Sequence, residues 1–364
     1  MTSSKATTES STFSGRLLAW HARHGRHDLP WQQQLSAYRV WVSEIMLQQT
    51  QVSTVIPYFL RFMARFPDVT TLADAAPDEV LHLWTGLGYY ARARNLQSAA
   101  RIIRDEYRGE FPRDAHTLEA LPGIGRSTAG AICAIAYGAP SAILDGNVKR
   151  VLTRFFAIDG PPNRTATLKQ LWSIAERLTP AEQSGAYTQA IMDLGATLCT
   201  RSRPACTLCP LAADCLARKE GNPGRFPTRK ARRTLGERRC QMLVIRNPEG
   251  EILLEKRPAS GIWGGLWSFP EIGENDDPIT ACDRITGAPP ASARKGDTFR
   301  HTFSHFRLDA TPVFLGAGSE RHTVMEDARL IWYKPGHRTL GLAAPVKRLI
   351  DALDAGTVAA LEID

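Results

Sequence analysis

Four closely spaced cysteines constrain this chain more than any other feature of its sequence. They follow the pattern C-x6-C-x2-C-x5-C, and they are Cys199, Cys206, Cys209 and Cys215. The other cysteines are scattered along the chain. Such a cluster is typical either of two disulfides or of a metal centre, and the redox compartment decides between them.

The start of the chain favours a reducing compartment. Residues 1–10 read MTSSKATTES and have no apolar core of the kind that a secretory signal needs. No later stretch approaches the roughly 20 apolar residues of a membrane span. We therefore expect a soluble cytoplasmic protein whose four thiols bind a metal centre. Zinc and iron-sulfur centres both accept four cysteine sulfurs, so the number of thiols leaves the metal open.

Length and charge predict two folded parts joined by a basic segment. A chain of 364 residues with a net charge of +8 has room for two or three domains. Residues 217–239 hold nine Arg or Lys against two Glu, so they carry seven of the eight net charges, together with several Gly and Pro. This pattern predicts an exposed linker, either a solubilising tether or a segment that follows a nucleic-acid backbone. The expected division is a disordered N-terminus at 1–14, a domain at 15–216, a linker at 217–238 and a second domain at 239–364.

The first domain has the apolar period of helices and repeated proline breakers, which predicts an all-α fold. We expect one helix across residues 40–59, with an apolar stripe on one face. Glu44, Gln48 and Gln51 follow at i, i+4 and i+7 on another face. A glutamine-rich row with one Glu and no Lys or Arg is unusual for an ordinary solvated face, and it favours a cleft.

A glycine-containing turn precedes the second acidic candidate. Residues 121–130 place Gly123 and Gly125 between two helical stretches, where backbone N–H groups and a helix N-terminus can bind a phosphate. About 20 residues later an apolar run ends at Asp145, which we expect to cap the following helix. Such capping lowers the pKa of a carboxyl group, whereas the apolar neighbours of Glu44 should raise its pKa. Two carboxyl groups with divergent environments suit glycosidic bond cleavage.

These segments, in this order, resemble the helix-hairpin-helix DNA glycosylases, and more narrowly the MutY adenine DNA glycosylases, which remove adenine mispaired with 8-oxoguanine. The resemblance spans nearly the whole chain from Leu29 onwards. Its most specific stretches are 41–51, 86–92, 121–129, 143–150 and the four cysteines. The resemblance implies that the cysteines bind a [4Fe-4S] cluster in a module at 199–215. It also implies a monomer that acts on double-stranded DNA containing adenine opposite 8-oxoguanine or guanine.

The resemblance also implies roles for individual residues. Glu44 would protonate N7 of adenine, Asp145 would stabilise the cationic sugar, and Asn147 would hydrogen-bond in the same pocket. Gln48 and Tyr89 match positions that insert beside 8-oxoguanine and hold the duplex open. The remaining expected contacts to DNA are made by Gly123, Gly125, Ser127 and Lys149.

One position separates this chain from the related endonuclease III, which cleaves both the glycosidic bond and the DNA strand. That lyase has a lysine where this chain has Ser127. A Schiff base requires an amine, so Ser127 predicts a glycosylase without lyase activity. Lys149 lies four residues after Asp145, and a salt bridge or a phosphate contact is its expected role.

Beyond the linker the period changes to that of strands. Residues 241–246 and 251–255 flank the turn 247–250 and predict a β-hairpin, which opens an α+β domain. Residues 261–270 resemble a stretch of Nudix folds, but the segment after Pro270 lacks the glutamates that hold divalent metal ions in Nudix hydrolases. We therefore expect this domain to bind 8-oxoguanine without hydrolysis. The resemblance assigns that recognition to Phe303, Ser304 and His305, although ordinary strand residues would show the same pattern.

Two other functions stay open on the residues alone. The first is a bifunctional glycosylase and lyase for oxidised pyrimidines, which Ser127 and the second domain disfavour. The second is a DNA-binding protein with a metal knuckle and no enzymatic activity, which would leave Glu44 and Asp145 without a role.

Overall fold

A computed structural model describes residues 2–228, 234–303, 305–317 and 329–355, with side chains from residue 12 onwards. The chain divides into two compact units. The first comprises Met1–Asp74 and Asn95–Ala231, and the second comprises Ala75–Arg94 and Arg232–Asp364.

The first unit is helical, as the sequence predicts. Its helices, including α6, which begins in the second unit, are α1 (Thr2–His24), α2 (Ala37–Leu47), α3 (Val52–Arg65), α4 (Val69–Asp74), α6 (Ala91–Tyr107), α7 (Ala115–Glu119), α8 (Arg126–Tyr137), α9 (Gly146–Phe155), α10 (Thr165–Leu178), α11 (Ser184–Thr197) and α12 (Leu216–Lys219). Helix α8 packs against α2 and α11, and α11 packs against α9. Position 130 of α8 is a glycine because the backbone of Ala142 passes close to the helix there. A Cβ at this position would lie 2.3 Å from the carbonyl oxygen of Ala142.

Helix α1 begins earlier than the sequence suggests, within the stretch 1–14 that was expected to be disordered. Phe13 and Leu17 are fully buried in the core of the first unit, and the ring of Phe13 meets that of Phe155 edge to face at 4.9 Å. The two residues lie four positions apart, on one face of a helix. A boundary at Gly15 therefore cuts through a helix that the core holds in place.

The helix expected across residues 40–59 is in fact two helices. Helix α2 ends at Leu47 and α3 begins at Val52, with Gln49 in the left-handed backbone region between them (φ 59°). Gln48 and Gln51 cap the two helices and do not continue the face of Glu44. Gln48 and Gln51 therefore lie in a turn, because the left-handed conformation of Gln49 ends the helical hydrogen bonding.

The expected linker is also shorter than its composition suggests. Residues 216–219 form α12, and Ala217 and Phe226 are buried in the first unit. The buried guanidinium of Arg154 donates to the carbonyl oxygens of Pro223 and Phe226, each at 3.0 Å. At its other end the segment enters a strand at Gly236. Buried apolar side chains at 217 and 226 thus hold the start of this basic segment in the first unit.

The second unit is built on one eight-stranded sheet in the order β3-β2-β1-β7-β5, with β4 paired to β1, β6 to β7 and β8 to β2. The strands are β1 (Gly236–Arg246), β2 (Ile252–Lys256), β3 (Trp267–Ser268), β4 (Glu271–Gly273), β5 (Ser292–Lys295), β6 (Phe299–Thr302), β7 (Phe306–Gly316) and β8 (Leu330–Tyr333). Its helices are α5 (Pro77–Trp84), α13 (Pro278–Thr286) and α14 (Ala344–Asp354). The predicted hairpin is confirmed, because Arg246 of β1 pairs antiparallel with Ile252 of β2.

Alternation along β1 explains how helices cover both faces of this sheet. Leu243 and Ile245 face the core that includes Ala281 of α13, whereas Val244 faces a cavity lined by Ile350 of α14. The all-α and α+β architecture that the sequence predicts is therefore confirmed. Among the described helices, none is long and apolar enough to cross a membrane.

Candidate active site

Glu44 lies in the last turns of α2, a helix whose other residues are mostly buried. Ser36 caps its start by accepting a hydrogen bond from the backbone N–H of Arg39 at 3.2 Å. Val42, Ile45 and Met46 around Glu44 are at most 3% exposed. Glu44 itself is half-buried. Burial, with a further contribution from the charge of Asp145, raises the pKa of Glu44 to about 8. The expected upward shift is confirmed.

Asp145 caps α9, as the sequence predicts. Its Oδ1 accepts a hydrogen bond from the backbone N–H of Val148 at 2.8 Å, and its Oδ2 accepts one from Nδ2 of Asn147 at 3.1 Å. Burial nevertheless raises the pKa of Asp145, although these hydrogen bonds and the charge of Arg150 oppose the shift. The expected lowering of this pKa is therefore wrong, because the loss of hydration outweighs the capping interactions.

Glu44 and Asp145 differ in the donors that each carboxyl group has. Asp145 has two hydrogen-bond donors and a nearby arginine, whereas the described residues supply Glu44 with no hydrogen bond or ion pair. Each charge makes ionisation of the other less favourable, so the two groups titrate as a pair. A proton that the pair retains is more stable on Glu44, since Asp145 is the better solvated anion.

A chain of hydrogen bonds connects Asp145 to the backbone carbonyl group of Cys199, the first of the four clustered cysteines. Asn147 donates to Asp145, and its Oδ1 accepts from Nη2 of Arg150 at 2.7 Å. The same Arg150 donates to the carbonyl oxygens of Gly195 and Cys199, each at 2.7 Å. The glycine at position 195 allows α11 to lie close to Asn147 of α9, because a Cβ there would lie 2.6 Å from Cβ of Asn147. The sequence reasoning missed Arg150, although its position one turn after Asn147 was a usable signal.

Arg150→Met is expected to lower the single-turnover rate of base excision by about 10-fold to 100-fold, because Asn147 loses the group that orients it towards Asp145. DNA binding should change much less, and the comparison of the rate with the dissociation constant for a substrate analogue checks this. Arg177→Met, on α10, is the control. Equal losses in binding and rate would contradict a role in orientation.

The hairpin residues lie as the sequence predicts, between α7 and α8. Gly123 has a positive φ of 78°, and Gly125 caps α8, so exposed N–H groups open the helix. The Oγ of Ser127 accepts a hydrogen bond from the backbone N–H of Leu144 at 3.0 Å and so holds the segment that leads to Asp145. The Nζ of Lys149 donates to Oδ1 of Asn163 at 2.8 Å, in place of a salt bridge with Asp145.

The four clustered cysteines line one cavity in the first unit, together with Val151, Arg154 and Leu211. None of the four forms a disulfide in the part of the chain that the structure describes. Arg154 is 2% exposed and donates to Sγ of Cys199 at 3.3 Å and to the carbonyl oxygen of Thr200 at 2.7 Å. Within the part of the chain that the structure describes, no three His, Cys, Asp or Glu side chains form a site for a single metal ion.

The second unit holds the other predicted recognition residues. Tyr89 is 47% exposed with a positive φ of 49°. The ring of Phe303 stacks on that of Phe306 at 4.5 Å and lies 6.4 Å from that of His305. Ser304 lies outside the described residues. Sequence reasoning missed Trp263, whose ring lies 5.5 Å from that of Phe303. Helix α13 carries one acidic residue, Asp283.

Two protein families match the chain in the order of its two folds. Residues 42–177 match the HhH-GPD superfamily of base excision DNA repair proteins, and residues 241–352 match the NUDIX domain. Among solved structures, a thermostable thymine-DNA glycosylase is 26% identical with a TM-score of 0.53, covering 58% of this chain and 98% of its own. An endonuclease III in complex with DNA has a TM-score of 0.50 at 21% identity, covering 59% of this chain and 97% of its own, and supports the fold alone.

Curated relatives cover both folds together. The adenine DNA glycosylase of Buchnera aphidicola subsp. Acyrthosiphon pisum is 37% identical over 352 residues, which cover 93% of this chain and 97% of the relative. The human adenine DNA glycosylase is 37% identical over 82% of this chain and 66% of its own length. With its helical fold, its carboxyl pair and these relatives, the chain belongs to the MutY family of adenine DNA glycosylases, enzymes of base excision DNA repair.

Proposed function

We propose that this enzyme removes adenine mispaired with 8-oxoguanine, and with guanine, by hydrolysis of the glycosidic bond without cleaving the DNA strand. The observation that carries the proposal is the carboxyl pair of Glu44 and Asp145, in which Glu44 retains its proton near neutral pH. A proton donor and an anion close to each other are what the departure of a purine from deoxyribose requires.

Each carboxyl group has a distinct role in the proposed reaction. The adenine first leaves the base stack, at a cost of a few kcal/mol. Glu44 then donates its proton to N7, so that the C–N electron pair leaves with a neutral base. The carboxylate of Asp145, held by Val148 and Asn147, stabilises the positive sugar. Glu44, now ionised, accepts a proton from the attacking water.

The four cysteines fit a [4Fe-4S] cluster. They line one cavity, and four cysteine sulfurs are the donor set of such a cluster. A cluster of several atoms needs such a space, whereas one zinc ion holds its sulfurs at about 2.3 Å. When bound, the cluster would act structurally, since glycosidic hydrolysis needs no electron transfer. It would hold the exposed Arg201 and Arg203 in their loop for contact with the DNA backbone.

Recognition of 8-oxoguanine is assigned to two sets of residues. Gln48 and Tyr89 are proposed to enter the duplex beside the damaged base, and Phe303, Ser304 and His305 are proposed to probe it. The exposed ring of Tyr89 and the stacked ring of Phe303 support this assignment. We propose that the enzyme acts as a monomer on double-stranded DNA, with phosphate contacts from Gly123, Gly125, Ser127 and Lys149.

The decisive experiment is a single-turnover assay on duplexes that contain adenine opposite 8-oxoguanine, guanine or thymine. Products are analysed with and without alkali, beside the variant Asp145→Asn. We expect excision opposite 8-oxoguanine and guanine only, strand breaks that depend on alkali, and loss of excision in the variant. Adenine left intact opposite 8-oxoguanine would overturn the proposal. Strand cleavage without alkali, with a borohydride-trapped Schiff base during base excision, would favour a lyase.

The rate of excision should depend on pH through the proton of Glu44. This proton is present below pH 8 and is lost as the pH rises through that value, so the rate should fall about 10-fold per pH unit above 8. On the acid side, the rate should fall where Asp145 becomes protonated, at a pH above the ordinary range of aspartate. Single-turnover rates between pH 5 and 10 check this. A rate that is constant from pH 7 to 10 would exclude Glu44 as the acid.

A further inference from the structure

The segment Ala75–Arg94 lies within the HhH-GPD match but belongs to the compact unit of the C-terminal sheet. Helix α5 at the start of this segment contacts the sheet through Asp78. Its carboxylate accepts hydrogen bonds from Nζ of Lys256 and from Nε1 of Trp267, each at 3.1 Å. Lys256 also lies over the ring of Trp267, 5.2 Å from its centre. Asp78 therefore binds two groups at the paired ends of β2 and β3.

The other end of α5 contacts the loop before α14. A ring nitrogen of His82 lies 3.1 Å from the carbonyl oxygen of Leu340, and Oγ1 of Thr85 donates to that of Leu342 at 3.3 Å. Gly341 between them leaves room for the helix, because a Cβ there would lie 2.4 Å from Cβ of Leu81. With contacts at both ends, α5 is a fixed part of the second unit.

Arg92 connects the end of α5 to Tyr89. Its guanidinium lies 5.4 Å from the ring centre of Trp84 and 5.6 Å from that of Tyr89. It donates to the carbonyl oxygens of Leu87 and Gly88, so it also holds the turn that presents Tyr89. Arg92 is 9% exposed, whereas Tyr89 is 47% exposed. The buried guanidinium of Arg92 thus holds the exposed ring of Tyr89 in position.

Arg94 connects the same segment to the aromatic rings around Phe303. Its Nη1 donates to the carbonyl oxygen of Gly264, the residue after Trp263. The ring of Trp263 lies 5.5 Å from that of Phe303 and 5.7 Å from that of His301. Trp263 has a positive φ of 52°, so the loop around it has little freedom to adopt another conformation. Tyr89 and Phe303 are therefore joined through Arg92, Arg94 and Trp263.

We propose that Asp78 and Arg94 are positioning residues for recognition of the base opposite adenine. They fix Tyr89 and Phe303 in one rigid body, so that both rings meet the damaged base in a defined geometry. This inference rests on the proposed recognition of 8-oxoguanine. Neither residue is expected to touch DNA. A displacement of about 1 Å between two groups that act together is enough to weaken their joint effect strongly.

The experiment compares single-turnover excision of adenine opposite 8-oxoguanine and opposite guanine, in the full chain. We expect Asp78→Ala and Arg94→Met to lower the rate opposite 8-oxoguanine about 10-fold and the rate opposite guanine less than about two-fold. Arg94→Lys, which keeps a donor, should retain most of the discrimination. Asp351→Asn is the matched control, since it removes an exposed carboxylate of the same unit that pairs with Lys347. Equal losses on both substrates would reduce the two residues to a structural role and overturn the proposal.

Hydrogen exchange without DNA separates this inference from the proposed function. Asp78→Ala and Arg94→Met should speed amide exchange in both residues 85–94 and residues 299–303, whereas Asp351→Asn should not. Unchanged exchange in either segment would overturn the positioning role, whatever the substrate preference. A wild-type enzyme that leaves adenine intact opposite 8-oxoguanine would instead refute the proposed function, whereas faster exchange in the two variants would still support the contacts that hold Tyr89 and Phe303.

Discussion

Glu44→Gln is expected to abolish adenine excision and to make the folded protein more stable at neutral pH. The amide cannot donate the proton that the departing base needs, so the single-turnover rate should fall by about 1,000-fold or more. The folded protein raises the pKa of Glu44 from 4.5 to about 8, so ionisation of this group opposes folding at every pH above 4.5. At pH 7, 2.5 units above 4.5, this amounts to at most about 3.4 kcal/mol, at 1.36 kcal/mol per pKa unit. The Glu44→Gln variant should recover part of this free energy as a higher free energy of unfolding.

The sign of this effect gives a direct test by denaturant unfolding. The gain in stability should be present at pH 7 to 8 and absent at pH 4, where Glu44 is protonated in both the folded and the unfolded chain. Glu182→Gln, at an exposed position of the first unit, is the control and should change neither rate nor stability. An active Glu44→Gln enzyme would exclude Glu44 as the acid. A variant that is less stable than wild type at pH 7 would contradict the raised pKa.

Cys209→Ser is expected to abolish binding of the proposed [4Fe-4S] cluster and to destabilise the first unit by several kcal/mol. A metal centre contributes its binding energy to folding, and a loop with three thiols holds it poorly. The cavity around the cysteines includes residues of α9 and the end of α11, so its collapse would displace the helix that Asp145 caps. DNA binding should weaken together with stability. Iron content, visible absorption and the melting temperature measure these losses.

Cys133→Ser is the control for this variant. Cys133 is 1% exposed in α8 and does not line the cavity of the four clustered cysteines. Its replacement should leave the visible absorption and the iron content unchanged. Colourless wild-type protein that contains zinc would refute the iron-sulfur proposal, while a Cys209→Ser protein with full iron content would show that Cys209 is not a ligand.

Local patterns were sufficient for the architecture and for the position of the candidate site. Helical period, strand period and the cysteine spacing predicted the order of the two folds, since these depend on neighbouring residues. The capping role of Asp145 and the raised pKa of Glu44 also follow from short segments. Both properties can be predicted from the residues that immediately flank Asp145 and Glu44 in the sequence.

Properties and element boundaries that depend on burial were predicted less well from the sequence. The pKa of Asp145 is raised, because the surrounding protein removes more hydration than its two hydrogen bonds replace. Helix α1 extends into the expected disordered stretch, because Phe13 is buried in the core. Residues 216–226, at the start of the basic segment, are folded, because Arg154 donates to the carbonyl oxygens of Pro223 and Phe226. In each case a distant partner outweighs local composition.

The sequence by itself determined the fold class, the carboxyl pair and the cysteine cluster, because periodicity, capping and thiol spacing are properties of adjacent residues. Only the tertiary structure decided that burial raises the pKa of Asp145 as well, that Arg150 orients Asn147, and that Ala75–Arg94 belongs with the C-terminal sheet. Asp78 and Trp267 are 189 positions apart in the chain, and no local pattern signals that their side chains share a hydrogen bond. Hydration and long-range packing are set by the folded chain as a whole.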